Sequence, residues 1–512
     1  MHEFWNNGGL FMQKFESGTL KYTLNEGDNS LAYSYQNVSE KNFNMFIKKL
    51  TENGFDEREN SKLGKNTYKC LLNKNEAVFT VFYPDISELN IIYEPTGHYF
   101  NLKKSPVGDK KPVLIQPDLE DYGISYILRL SDGSFIIIDG GWDFEPDADK
   151  LMNEMKNLCG DEKPRITAWF FTHPHIDHYR CFNVFCKKYN GEFSVDSVIY
   201  NFPAIDEKIK EKFADLNILN EYENLLLFEK TVNENKIPKI KAHTGQTFEF
   251  AGAKFTVLSS QDDIENSKDA NEISLVLRLE IEGQIILFGG DCYFDKARIA
   301  DRYGDYLKSD IFSVPHHGFC GGDEKANEFI SPDVCFFESF ETDALCRFSI
   351  YDRGYSSLIY SPDVKEIFFG GNGTYRFELP YYTPRHSLGD LKRKIAETSK
   401  HTGARVWVFD NVKYNDLKFS VLNMTVKNTV IYADLYFEDS ESFISSVKID
   451  AKPVGVTNID FASRKGIDGD ALFFNRDSLS KKPLNPSKLT TIVFRAERPV
   501  IISGVKNAVY HS

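Results

Sequence analysis

Three of the chain's eleven histidines and one aspartate fall within six residues, His173-Pro174-His175-Ile176-Asp177-His178, directly after the apolar run Ala168-Trp169-Phe170-Phe171. This juxtaposition constrains the fold strongly. The apolar run reads as a buried strand, and a strand end is rigid enough to hold ligand atoms at bond length. Neutral imidazole and carboxylate are the usual ligands of zinc and similar ions. Residues two apart at a strand end point to the same side, so His173 and His175 can grip one ion, while Asp177 and His178, past the bend, can hold a second. Two ions so placed can share a hydroxide, lower its pKa and polarise the bond under attack. Such a centre needs a bridging carboxylate and at least one more histidine, both from other strand ends.

The rest of the chain offers them. Ser125 to Leu130 and Phe135 to Ile138 read as a hairpin of buried strands around the turn Ser131-Asp132-Gly133-Ser134, and Asp139-Gly140-Gly141 follows. Pro146 starts a helix that carries Leu151, Met155 and Leu158 on one face and stops at Gly160. Strands are predicted at 166–171, 197–201, 254–258, 274–279 and 284–288, with a helix at 221–229. The strand Gln284 to Phe288 ends in Gly289-Gly290-Asp291, and Ile311-Phe312-Ser313-Val314 runs into Pro315-His316-His317-Gly318. Strands mixed with helices, each strand ending in a polar cluster, predict a layered sheet-and-helix domain with one active edge.

With these motifs in order, the chain resembles the metallo-β-lactamase superfamily over roughly residues 113–410. The wording Val314-Pro315-His316-His317-Gly318, together with Asn271 ahead of Ser274-Leu275-Val276-Leu277, looks most like its competence-protein branch, whose members are linked to phosphodiester hydrolysis. The resemblance implies an αββα sandwich. It gives His173 and His175 to one metal, Asp177 and His178 to the other, and Asp291 to both as a bridge. One of His316 and His317 completes the second site, with His316 favoured because it comes first off the strand. Asp139 resembles the family aspartate that orients a ligand histidine without binding metal. One departure stands out: many members carry a third histidine for the first metal where this chain has Asp269-Ala270-Asn271-Glu272-Ile273-Ser274. Asn271 can face the metals, bind substrate or serve only as a turn residue. His243 is read as a surface turn, Cys292 and Cys320 as buried filler, and Arg385-His386 as a polar boundary loop that can also bind a substrate anion.

The implied fold class is mixed α/β and multi-domain. A small α+β domain spans residues 1–110, the hydrolase domain 111–415, and an all-β appendage 416–512. In the first, Ser39 caps a helix with a Phe43, Phe46, Ile47, Leu50 stripe that ends at Gly54. Lysines, prolines and a glycine over residues 101–112 mark a linker. Toward the other end a strand is predicted over 366–369, a turn at Gly370-Gly371-Asn372-Gly373, a helix over 387–399 and strands over 405–409, 429–437, 456–461 and 491–494. The net charge of −14 disfavours a general binder of nucleic acid, which enters only as a possible substrate. No apolar run approaches a membrane span, no secretory signal opens the sequence, and the eight cysteines lack a Cys-x-x-Cys pair. These features predict a cytoplasmic chain.

The predicted activity is binuclear hydrolysis by metal-bound hydroxide, with Asp177 and Asp291 at the reacting centre and a phosphodiester or related ester as substrate. Two divalent ions are the cofactors, zinc by default, with manganese or iron compatible with the mixed ligand set. A carboxylic ester, lactone or lactam hydrolase of the same fold, or a scaffold that only binds, are the alternatives.

Overall fold

Alternation along the strand Arg165–Phe171 divides two cores. Successive strand side chains point to opposite faces, so Ala168 and Phe170 enter the interior shared by two sheets. Trp169 and Phe171 face the other way, where Trp169 meets Phe182 and Phe185 edge-on and Phe171 meets Phe182 and Phe228. Those partners belong to the helices Cys181–Lys188 and Tyr222–Glu234, which cover the sheet from outside. Each aromatic burial of this size contributes on the order of 2 kcal/mol or more.

The computed structural model describes residues 15, 17–27, 30–95, 105–204, 210–339, 358 and 364–383, and the strand backbone of 405–414, 417–427, 430–437, 444–453, 458–460, 489–495 and 500–510. Arg385, His386 and the helix predicted over 387–399 lie outside the described residues. The chain divides into two compact units, residues 1–340 with 367–381 and residues 341–366 with 382–512.

In the first unit the two central sheets lie face to face. One runs in the order Lys239–Lys241, Val198–Tyr200, Arg165–Phe171, Phe135–Asp139, Ser125–Arg129, Val113–Gln116, Tyr375–Glu378. The other runs Thr247–Phe250, Ala253–Ser259, Val276–Ile281, Gln284–Phe288, Ile311–Ser313, Val334–Phe337 and the strand ending at Phe369. Their inner faces interleave Tyr126, Ile136, Ile138 and Phe170 with Phe255, Leu277, Ile286, Phe288 and Phe336. The helix Glu145–Cys159 joins the outer layer on one side, with Leu151 and Met155 buried and Leu158 half-buried. On the other side, where Phe312 packs on Phe294, stand the helices Ile299–Tyr303 and Glu324–Ile330. This is an αββα sandwich. Strands Phe135–Asp139 and Arg165–Phe171 are parallel, as are Gln284–Phe288 and Ile311–Ser313, so their polar ends gather at one edge.

The same unit includes a six-stranded antiparallel sheet, Thr19–Gly27, Ser30–Gln36, Glu88–Glu94, Glu76–Tyr83, Asn66–Asn73, Asp56–Leu63. The helix Glu40–Glu52 lies on it, with the Ser39 side chain accepting from the Asn42 amide at 3.2 Å. Phe43, Phe46, Ile47 and Leu50 are buried, as their spacing predicts, and Phe43 stacks on Phe82. The sheet is joined to the sandwich by buried polar contacts. Arg302 Nη1 lies 2.9 Å from Asp263 Oδ1, Asn90 donates to Asp263 at 2.7 Å, and Asn66 donates to the Arg302 carbonyl at 2.8 Å.

His243 belongs to this seam, which corrects the prediction of a surface turn. The turn is present, with Gln246 N donating to His243 O, but the six-stranded sheet covers it. His243 Nδ1 is 3.1 Å from Asp262, Nε2 is 3.9 Å from Glu94, and the ring lies 4.6 Å from that of Phe79. A turn signal marks backbone geometry and is blind to a neighbouring sheet.

The second unit's described strands are antiparallel. Arg405–Tyr414, Leu417–Lys427, Val430–Phe437 and Leu489–Arg495 form one sheet, and Asn458–Asp460, Ile444–Pro453 and Val500–Tyr510 another. Among the described residues no disulfide forms and no helix is long and apolar enough to cross a membrane.

Candidate metal centre

The edge where the strands end is held by Asp139. It adopts a left-handed backbone, φ 55°, unusual for a residue with a Cβ, and its carboxylate turns toward the loop after Phe171. Oδ1 accepts from Thr172 N at 2.8 Å, and Oδ2 accepts from Thr172 Oγ1 at 2.8 Å and lies 2.9 Å from His178 Nδ1. Its carbonyl accepts from Trp169 Nε1 at 2.9 Å, tying the turn to the core. The first turn of the short helix Ile176–Tyr179 presents Asp177 and His178.

Two groups of ligand atoms result, each with members within 4.8 Å of one another: His173, His175 and Asp291, and Asp177, His178 and His317. His173 Nε2 lies 2.9 Å from His175 Nδ1 and 3.7 Å from Asp291 Oδ2. His178 Nε2 lies 3.3 Å from Asp291 Oδ1, and His317 Nε2 lies 3.1 Å from Asp177 and 3.6 Å from Asp291. Asp291 thus touches both groups. The geometry joins His317 to Asp177 and His178, departing from the expectation that favoured His316. The reason is a left-handed turn, φ 52° at His316 and 57° at His317, which carries the second ring to the Asp177 side. His316 Nε2 stands 3.8 Å from Asp291 and 3.4 Å from Asn271 Nδ2.

The electrostatics describe a centre shaped for positive charge. Burial alone would lower the His178 pKa, yet Asp291, Asp139 and Asp177 raise it well above its ordinary value. His173 is pushed well below its ordinary value by burial and by the adjoining His178 imidazole. Burial acts to raise Asp291, but His178, His317, His316 and His173 hold it well below the usual carboxylate range. The three carboxylates that raise the His178 pKa would equally favour a bound cation. Asp291 Oδ1 and His178 Nε2 are buried without a hydrogen-bond partner, which is costly unless a ligand satisfies them. Donor atoms about 3.4 Å apart are what two ligands at zinc distances and tetrahedral angles give. The residues present fit divalent metal ions.

Other contributors escape sequence reasoning. The Glu338 carbonyl lies 3.1 Å from His317 Nδ1, and the buried Glu338 carboxyl, raised well above its ordinary pKa by burial, accepts from Ser313 Oγ at 3.0 Å. Cys320 is half-exposed with Sγ 3.0 Å from His316 Nδ1, so the prediction of buried filler fails for it and holds for Cys292. No spacing signal links these residues to the histidines; only tertiary packing does. Asn271 is buried beside His316.

Residues 120–245 match the family model described as the metallo-beta-lactamase superfamily. No curated protein matches the chain. Among solved structures, the chain is similar to the metallo-beta-lactamase fold protein YhfI from Bacillus subtilis, with 12% identity and a TM-score of 0.31 over 52% of this chain and 99% of that one. It is also similar to yeast PDE1, at 10% identity and a TM-score of 0.31 over 51% of this chain and 98% of that one. Human tRNase Z, short form, aligns at 10% identity and a TM-score of 0.29 over 53% of this chain and all of that one, 100%. The residues that match the metallo-beta-lactamase superfamily model, 120–245, lie within the αββα sandwich described above and carry the His173 to His178 cluster.

Proposed function

We propose that the chain is a hydrolase that holds two divalent metal ions, zinc by default, and cleaves a phosphodiester or related ester. The observation that carries this reading is the Asp291 carboxylate standing between the two groups, its Oδ1 buried and without a hydrogen bond. Ions bound there supply Lewis acidity and an activated water. His173, His175 and Asp291 hold one, and Asp177, His178, His317 and Asp291 the other. Asp139 orients His178 by fixing its Nδ1. Asp177, half-exposed, accepts a hydrogen bond from the attacking water. Asn271, and Arg385 and His386 from outside the described residues, are assigned to the substrate. Residues 111–415 form the hydrolase domain between the flanking domains 1–110 and 416–512, and the enzyme works in the cytoplasm.

The preference for a phosphodiester rests on the resemblance of Val314-Pro315-His316-His317-Gly318 to the competence-protein branch. Turnover of bis-p-nitrophenyl phosphate with zinc or manganese is the test. The parent chain turns it over and a chelator stops it, while His175→Ala and Asp291→Ala lose activity and keep the fold. A variant that retains the parent rate overturns the assignment of the centre. Turnover of p-nitrophenyl acetate or a lactam alone moves the substrate to the carboxylic class.

A further inference from the structure

We propose that the two adjacent imidazoles serve different halves of the centre. His317 works with Asp177 and His178, while His316 Nε2 gives the His173–His175 half its third imidazole, oriented from behind by Cys320. This inference rests on the metal-binding reading above and assigns a role that the grouping of the remaining ligands leaves open.

Ring orientation is the first argument. In His173, His178 and His317 the Nδ1 edge is engaged away from the centre, 3.2 Å from Thr172 Oγ1, 2.9 Å from Asp139 Oδ2 and 3.1 Å from the Glu338 carbonyl respectively. In each, Nε2 then faces Asp291, at 3.7, 3.3 and 3.6 Å. Metal-binding histidines ordinarily donate their other ring N–H to such an outer partner, which sets tautomer and aim. His316 repeats the arrangement, with Nδ1 3.0 Å from Cys320 Sγ and Nε2 3.8 Å from Asp291 Oδ2. His173 and His317 face that same oxygen, whereas His178 faces Oδ1.

The second argument is position. Asn271 occupies the stretch where a third histidine was expected, and its Nδ2 lies 3.4 Å from His316 Nε2. An imidazole therefore stands beside the place that the amide leaves without one. The Tyr293 ring stacks on His316 at 5.8 Å and Phe319 meets it edge-on at 5.4 Å, which limits its rotation.

The third is backbone cost. Left-handed residues with a Cβ are strained by about 1–3 kcal/mol each, and such strain persists where a site needs it. Here two stand in succession, with the turn anchored by His316 N donating to Gly290 O at 2.9 Å, one residue before Asp291. One left-handed residue would serve to aim a single ring; two in succession carry both rings to the carboxylate.

The test uses the full chain stripped of metal and titrated with zinc against a chelating dye, and with cobalt by visible absorption. The parent binds in two steps. His316→Ala weakens one step by at least about tenfold and leaves the other within about threefold, His317→Ala weakens the other step, and the double variant weakens both. His316→Gln, which keeps the bulk, is measured alongside so that loss of fold is told from loss of a ligand. Cys320→Ala weakens the His316-dependent step by about 10–100-fold. Asn271→His placed in His316→Ala restores most of the lost affinity. If His316→Ala and His316→Gln bind both ions as the parent does, or if His316→Ala and His317→Ala lose the same step, the inference is wrong while the metal reading stands. A parent chain that binds neither zinc nor cobalt removes both.

Discussion

Asp139 shows how much a residue that binds nothing can govern. Its two oxygens hold Thr172 and the His178 ring, and Thr172 Oγ1 in turn lies 3.2 Å from His173 Nδ1, so one carboxylate aims a histidine in each half of the centre. Asp139→Asn keeps the shape but replaces one acceptor oxygen by a donor. Metal affinity is expected to fall about 10–100-fold, read by titration of the purified variant. That His173, His175, Asp177, His178 and Asp291 gather at one edge was legible because their spacing and their places at strand ends are properties of the chain itself. The division of labour between His316 and His317 was not, since it depends on two dihedral angles. Nor were Cys320 and the Glu338 carbonyl, which meet the rings only through the folded turn and the neighbouring strand.

At the scale of elements, the turn His316–Gly318 and the strand Arg165–Phe171 set the site from opposite sheets. Gly318 has φ 80°, and a Cβ there would run into the Phe337 ring. Gly318→Ala is expected to cost about 1–3 kcal/mol in unfolding free energy, measured by denaturant titration without metal, and to weaken metal binding because His317 moves with the turn. Trp169 is fully buried, packs on Phe182 and Phe185, and caps the Asp139 carbonyl. Trp169→Ala is expected to destabilise by about 3–5 kcal/mol, checked in the same titration. Strand periodicity located most of these elements well. It placed the strand Val276–Ile281 two residues early, at 274, because Leu275 joins the apolar run of Val276 and Leu277, whereas Ser274 and Leu275 are used in the turn, where Ser274 Oγ accepts from Asp291 N and Leu275 N donates to Thr172 O.

At the scale of the first unit, the seam between the six-stranded sheet and the sandwich is polar and buried. Arg302→Met would leave Asp263 enclosed without its counter-ion, an arrangement that costs about 3–5 kcal/mol; thermal unfolding of the variant checks it. His243 gives the seam a pH dependence. Burial lowers its pKa, but Asp262 and Glu94 raise it above the ordinary 6.5 against that effect and against Lys241. A folded-state pKa above the unfolded one means that the contribution is fully present below about 6.5 and is lost as pH rises through the folded value. The stability difference between the parent and His243→Gln is therefore expected to shrink from pH 6 to pH 9, read from melting temperatures at matched ionic strength. None of this was legible in the sequence, because the partners are drawn from segments far apart. Asn90 meets Asp263, and Glu94 meets Lys241.

The Asp263–Arg302 pair, walled in by residues from the six-stranded sheet, also bears on how the molecule can be dissected. A fragment cut to begin at the sandwich would keep both His/Asp groups described above, yet it would open to solvent a carboxylate, a guanidinium and an imidazole shaped for enclosure, along with the aromatic face of Tyr303 that meets Tyr83. Whatever function is assayed, such a fragment would lose it through failure to stay folded, and an experimenter could mistake that loss for a direct role of the missing segment. The smallest trustworthy working piece is therefore set by where the water stops, well upstream of where the motifs begin.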